Sequence, residues 1–167
     1  MIASWSDISK TIHVSELIIK VEKHFNMTKS RILVVDDNHL NVELIEGILA
    51  KEYEVIKASS GIDALVKMEK TLPDIILLDI MMPNMNGYAF CRQVKTDNKT
   101  RTIPVIMITA LSEAEDRMKA IEAGADDFIS KPVDAIDLIA RVKSLLNTRK
   151  QANIDPNSSN VNVYKIF

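Results

Sequence analysis

Asp36 and Asp37 close one apolar run, Ile32-Leu33-Val34-Val35, and Asp79 closes another, Ile75-Ile76-Leu77-Leu78. Each run is short and apolar throughout, so each reads as a strand buried on both faces, as in a parallel sheet. Carboxylates at the C-terminal ends of two such strands converge at one edge of the sheet. Three clustered negative charges repel, so either one carboxyl group stays protonated or a cation sits among them. The pattern points to an acidic pocket suited to a hard divalent ion such as Mg²⁺, with Asp79 inside it. Two further residues belong to the same edge. Thr109 ends the run Val105-Ile106-Met107-Ile108 and is followed by the small Ala110, while Lys131 follows a fifth short run and precedes Pro132.

The elements that must position these residues alternate. Strands are expected near 31–35, 54–58, 75–79, 105–109 and 127–129, and helices near 38–51, 61–71, 87–96, 113–123 and 135–149. Helical spacing sets out three apolar stripes: Leu44, Ile45, Ile48 and Leu49; Ala64, Leu65 and Met68; Ile136, Ile139, Val142 and Leu146. Five βα units in succession imply an α/β fold, a five-stranded parallel sheet covered by helices on both faces. With strand order 2-1-3-4-5 the order reverses between the first and third strands, where ligands bind in open sheets of this kind. Those two strands end in Asp36-Asp37 and Asp79.

Composition bounds the function. The chain of 167 residues is 47 % hydrophobic and 26 % charged, which suits one soluble globular domain with tails. A net charge of −2 gives no support to a nucleic-acid-binding or membrane-surface domain. No apolar stretch is long enough to span a bilayer, and the N-terminus lacks the pattern of a signal peptide. Cys91 is the only cysteine, so neither an internal disulfide nor a cysteine zinc site can form; a cytoplasmic protein is expected. Cys91 itself reads as a small buried residue. His13, His24 and His39 show no ligand spacing, and Met81, Met82 and Met85 read as loop packing. Residues 1–26 read as a leader in which Val14, Leu17, Ile18, Val21 and Phe25 could form a short amphipathic helix behind Ser15. Residues 27–150 form the domain. Residues 151–167, with Asn153, Asp155, Pro156 and Asn157, read as a polar, disordered linker and tail.

Taken singly, these residues have plainer readings. Asp36, Asp37 and Asn38 could cap the following helix, and Asp79 with Pro83 and Asn86-Gly87 could form an acidic turn. Thr109 could be an ordinary strand-end threonine and Lys131 a solvated lysine. The order of all five, each at the end of a strand on one edge, favours a shared site.

Val34-Val35-Asp36-Asp37-Asn38, Leu78-Asp79-Ile80-Met81-Met82-Pro83, Gly87, Thr109-Ala110, Gly124-Ala125-Asp126-Asp127-Phe128 and Lys131-Pro132 resemble, in order and spacing, the receiver domain of two-component response regulators. The resemblance runs from about residue 30 to 148. The stretch from Pro73 to Pro83, with Cys91-Arg92 and Ile103-Pro104-Val105, most resembles the first receiver of PleD-type diguanylate cyclase regulators. The resemblance implies a flavodoxin-like receiver fold and a phosphorelay function. Asp79 would accept a phosphoryl group from a phosphohistidine on a histidine kinase or histidine phosphotransfer protein. Mg²⁺ would be held by Asp36, Asp37, Asp79 and the backbone carbonyl of Met81. Lys131, the Thr109 hydroxyl and the Ala110 backbone N–H would contact the phosphoryl oxygens. Thr109 and Phe128 would act as the switch, and a cis bond before Pro132 would fix the approach of Lys131. Met81 and Leu111, both apolar, would flank the path of a hydrolytic water and slow loss of the phosphate. A downstream protein partner would read the switch, and a homodimer could form through residues 113–149.

On this reading the chain is a switch with self-phosphorylation and slow self-dephosphorylation, not a turnover enzyme, and it carries no output domain. Two alternatives stand beside it. The sequence could be an N-terminal fragment of a PleD-type regulator. It could also be a Mg²⁺-dependent phosphatase of the haloacid dehalogenase type, although that class expects Asp-x-Asp on the nucleophile strand and Asp79 is followed by Ile80 and Met81.

Overall fold

The computed structural model describes residues 29–154, except 84 and 111–113. The expected leader over 1–26, Leu111, and the tail from 155 lie outside the described residues. The chain divides between Ser30 and Arg31, and the second unit carries the elements described below.

Among the described residues five strands alternate with five helices: β1 Arg31–Val35, α1 His39–Leu49, β2 Glu54–Ala58, α2 Gly61–Lys70, β3 Ile75–Asp79, α3 Gly87–Thr96, β4 Val105–Thr109, α4 Ala114–Glu122, β5 Asp127–Ser130 and α5 Ala135–Ile154. All strand pairings are parallel, and the sheet order is β2-β1-β3-β4-β5. The expected α/β architecture and strand order are therefore those observed, and the reversal lies between β1 and β3.

Because side chains alternate along a strand, the three central strands serve two cores. Leu33, Val35, Ile76, Leu78, Val105 and Met107 pack with Ala64, Met68, Phe90, Cys91, Val94 and Ala120 from α2, α3 and α4. Ile32, Val34, Ile75, Leu77, Ile106 and Ile108 pack with Val42, Ile45, Leu49, Leu138, Val142 and Leu146 from α1 and α5. Burial on both faces explains the unbroken apolar runs. Cys91 is fully buried, and burial pushes its thiol up to about 11. Met82 is buried and Met85 packs against the same core, whereas Met81 is 64 % exposed.

Two expected stripes are rotated. Leu44 is 55 % exposed and Ile136 81 % exposed. The buried lines are instead Val42-Ile45-Leu49 on α1 and Leu138-Val142-Leu146 on α5. Each keeps i+3 or i+4 spacing; helices this rich in Leu and Ile admit two phases, and packing on the sheet chooses one. The helix expected over 135–149 also runs on to Ile154, into the segment read as linker. Within α5, Arg149 donates to the main-chain carbonyls of Pro73 and Asp74. Among the described residues no helix is long and apolar enough to cross a membrane.

Candidate functional site

β1 and β3 deliver their terminal carboxylates side by side. Asp36 is 3 % exposed and Asp79 6 % exposed, while Asp37 faces solvent. One carboxylate oxygen from each of the three lies within 4.8 Å of the others. Lys131, from the loop after β5, places its Nζ 3.1 Å from Asp36 Oδ2 and 3.1 Å from Asp79 Oδ1. It is the internal cation demanded by two buried acids. The Lys131–Pro132 bond is cis. Thr109, at the end of β4, is buried, and its carbonyl accepts the Lys131 backbone N–H at 2.7 Å. Ala110 follows it at the surface. Asp36, Asp37, Asp79, Thr109, Ala110 and Lys131 therefore lie together at one edge of the sheet, whereas Phe128 sits within β5, paired with Met107 of β4.

Burial raises the Asp79 carboxyl above the ordinary carboxylate range. The Lys131 ammonium opposes that rise, Asp36 adds to it, and the Met81 backbone N–H opposes it by hydrogen bonding. For Lys131, burial alone would lower the pKa, but hydrogen bonds to Asp79 and Asp36 outweigh it and hold the value above that of a free lysine. A groove of about 230 Å³ opens beside Asp36 and Asp37, along α1 and the start of α2. Three hard oxygen donors, one of them solvent-facing, fit a small divalent cation that keeps some of its water.

Supporting contacts were not legible beforehand. Asn38 is both the expected helix cap and a site contact: its side chain accepts from Leu40 N, while its own N–H donates to Asp36 Oδ1 at 2.8 Å. Asn41 Nδ2 donates to Asp36 Oδ2 at 2.9 Å. Gly87 opens α3 directly under the Asp79 loop and donates its N–H to the Ile80 carbonyl at 2.9 Å. A Cβ there would overlap the Asp79 carbonyl oxygen and stand 2.8 Å from Ile80 Cα, so only glycine permits this approach. Asn86-Gly87 signalled a turn in the sequence, but not that the turn underlies the acidic pocket.

On the neighbouring face, Phe128 on β5 is half-buried, and the Arg117 guanidinium of α4 stacks 4.5 Å from its ring centroid. Beside it, Arg141 of α5 grips both Asp127 oxygens at 2.8 Å and reaches Asp137 at 2.7 Å. His39, the only described histidine, is exposed and 3.3 Å from Glu43.

Comparison with known proteins agrees with this geometry. The family described as "Response regulator receiver domain" matches residues 32–143. The chain is 52 % identical over 127 residues to the response regulator PleD of Caulobacter vibrioides, a match covering 75 % of this chain and 28 % of PleD. It is 36 % identical to the DNA-binding transcriptional regulator RpaA of Synechocystis, over 70 % of this chain and 48 % of that protein. The chain thus spans less than two thirds of these relatives. Among solved structures, the receiver domain of a signal transduction histidine kinase from Syntrophus aciditrophicus superposes with a TM-score of 0.68 at 36 % identity, covering 81 % of this chain and 99 % of that one.

Proposed function

The chain belongs to the response regulator receiver family, and from that membership we propose that Asp79 is its phosphoacceptor, with Mg²⁺ held by Asp36, Asp37, Asp79 and the Met81 carbonyl. The observation that carries this reading is the pairing at the sheet reversal: a nearly buried Asp79 between a second buried carboxylate and the Lys131 ammonium. An Asp79 oxygen attacks the phosphorus of a phosphohistidine. The O–P bond forms as the P–N bond breaks, and the imidazole leaves. Such transfers need little covalent help and much neutralisation of the phosphoryl oxygens, which Mg²⁺ supplies when bound. Lys131 moves from the Asp79 carboxylate to a phosphoryl oxygen. The Thr109 hydroxyl and the Ala110 N–H donate to the others. The donor is a histidine kinase or histidine phosphotransfer protein, met in the cytoplasm, and a downstream protein reads the result. The chain itself performs no other turnover.

The lifetime of the phosphate follows from the residues around it. Met81 is apolar, exposed and two positions beyond the acceptor, so it offers an approaching water bulk and no hydrogen bond. Acetyl phosphate with Mg²⁺ is expected to add a single hydroxylamine-labile phosphoryl group, which outlasts removal of the donor by minutes or longer. Met81→Asn should speed its decay about tenfold, or about 1.4 kcal/mol of barrier. Continuous release of inorganic phosphate from small phosphoesters would instead favour a phosphatase, and unchanged decay in Met81→Asn would refute control by this side chain.

Thr109 and Phe128 form the switch of this reading. Movement of Thr109 toward the phosphate vacates space into which Phe128 turns, and the face made by α4, β5 and α5 changes shape. The Arg117 stack opposes that turn, since a cation over such a half-buried ring contributes about 0.5–1 kcal/mol. Arg117→Ala is therefore expected to lower the beryllofluoride concentration that half-saturates the chain, by about two- to fivefold. Aromatic NMR signals of Phe128 would report it, and an unchanged titration would exclude the stack as a latch. Met118, Ile121 and Ile136 leave apolar surface on the same two helices, which suits a phosphorylation-dependent homodimer.

The 52 % identity to PleD over 28 % of that protein supports a second reading, in which this sequence is the receiver portion of a longer PleD-type regulator. The reading frame around these codons tests it.

A further inference from the structure

We propose that Asn41 is a positioning residue, whose side-chain amide fixes the Asp36 carboxylate in the orientation that binds Mg²⁺. The inference rests on the reading that Asp36, Asp37 and Asp79 form a Mg²⁺ site.

Asp36 is 3 % exposed, and both of its oxygens are held. Oδ1 accepts the Asn38 backbone N–H at 2.8 Å; Oδ2 accepts the Asn41 amide at 2.9 Å and the Lys131 ammonium at 3.1 Å. Two of these donors ride on the rigid start of α1, and the third comes from the loop after β5. They are not equivalent once the site is used. Lys131 also binds Asp79 at 3.1 Å, and it is the group that an incoming cation competes with and an incoming phosphoryl group attracts. When it leaves, Asn41 is the side chain still holding Oδ2. Mg²⁺ demands near-ideal octahedral geometry, so a carboxylate free to turn about its terminal torsion binds it less well than one held in place.

Helix capping does not account for this contact. The first turn of a helix lacks acceptors for its N–H groups, not donors. In α1 the Asn38 side chain accepts from Leu40 N at 3.0 Å, and the Asn38 carbonyl accepts from Asn41 N and Val42 N. In a capping box the third helical residue would accept the N-cap N–H. Here Asp36 accepts that N–H instead, and the third residue, Asn41, donates to the other oxygen of the same carboxylate. The amide thus serves the acid and not the helix.

Calorimetric titration of Mg²⁺ into the full chain tests the assignment, alongside thermal unfolding in chelator. Asn41→Leu keeps the bulk and removes the donor, Asn41→Ala removes both, and Asn41→Gln keeps a donor. The Leu and Ala variants should each bind Mg²⁺ about tenfold more weakly, the usual cost of losing a partner of a metal ligand. Their unfolding in chelator should match the native chain, and Gln should recover part of the affinity. If Leu and Ala bind as the native chain does while Asp36→Asn fails to bind, the inference is overturned and the metal site stands. A loss of affinity that only tracks a loss of stability in chelator also overturns it. A native chain that takes up no Mg²⁺ refutes the metal site itself, and the inference with it.

Discussion

Asp79→Asn is expected to abolish phosphoryl incorporation from acetyl phosphate and, in chelator at neutral pH, to make the fold more stable than the native chain. The first effect follows because an amide is neither a nucleophile toward phosphorus nor an anionic metal ligand. The second follows from burial. The Asp79 carboxyl is raised in the folded state, chiefly by desolvation, above the value of 3.8 that applies to a free aspartate. The folded chain therefore holds this proton more tightly than the unfolded chain. Its contribution to stability is fully present below the unfolded pKa and is lost as pH rises through the folded one. At neutral pH the buried charge is a cost that the native chain carries and the amide does not. The stability gap between variant and native should shrink as pH falls toward 4 and the native carboxyl is protonated. Saturating Mg²⁺ should also shrink it, by stabilising the native chain through binding. Phosphorylation of the variant at the native level would remove Asp79 from its role. A variant less stable than native in chelator at pH 7 would show that the Lys131 contact outweighs the burial of the charge.

The legible part of this fold was the part that burial dictates. A strand covered on both faces must be apolar at every position, so Ile32–Val35, Ile75–Leu78 and Val105–Ile108 announced themselves, and so did the polar residues that ended them. Because those ends share one edge, Asp36, Asp37, Asp79, Thr109 and Lys131 could be assembled without coordinates. Helix phase was harder. Leu44 lies beside Ile45, and Ile136 lies two residues before Leu138, so spacing alone offered two faces, and the contact with the sheet decided between them. α5 runs past 149 to Ile154 because Lys150, Gln151, Ala152 and Asn153 include no helix breaker, the first being Pro156, so polar composition alone does not mark a helix end. Local pattern also hid Asn41 and Arg117, and the role of Gly87 beneath the pocket. Each acts through a three-dimensional neighbour: Asn41 through the far oxygen of Asp36, Arg117 through the ring of Phe128 and Gly87 through the underside of the Asp79 loop.

Lys131→Met is expected to destabilise the chain in chelator at pH 7 and at the same time to tighten its grip on Mg²⁺. In the native chain the ammonium lies 3.1 Å from both Asp36 and Asp79, whose side chains are 3 % and 6 % exposed. Removing one partner of a buried ion pair leaves charge without compensation, at a cost of several kcal/mol. Lys131 is itself 23 % exposed, so water screens part of the interaction, and about 2 kcal/mol is expected here. Lysine and metal ion answer the same need, which is positive charge among carboxylates. Without the ammonium an entering Mg²⁺ no longer has to displace an internal competitor, so it should bind more tightly, whereas loss of the Asn41 amide should weaken it. The lost stability should return as pH falls, because protonating the raised Asp79 carboxyl removes the repulsion, and it should return when millimolar Mg²⁺ is added at pH 7. Calorimetry, and thermal unfolding at two pH values with and without Mg²⁺, resolve these effects. If Mg²⁺ affinity does not rise, or if the destabilisation is the same at pH 5 and pH 8, then Lys131 is packing against the site and not neutralising it.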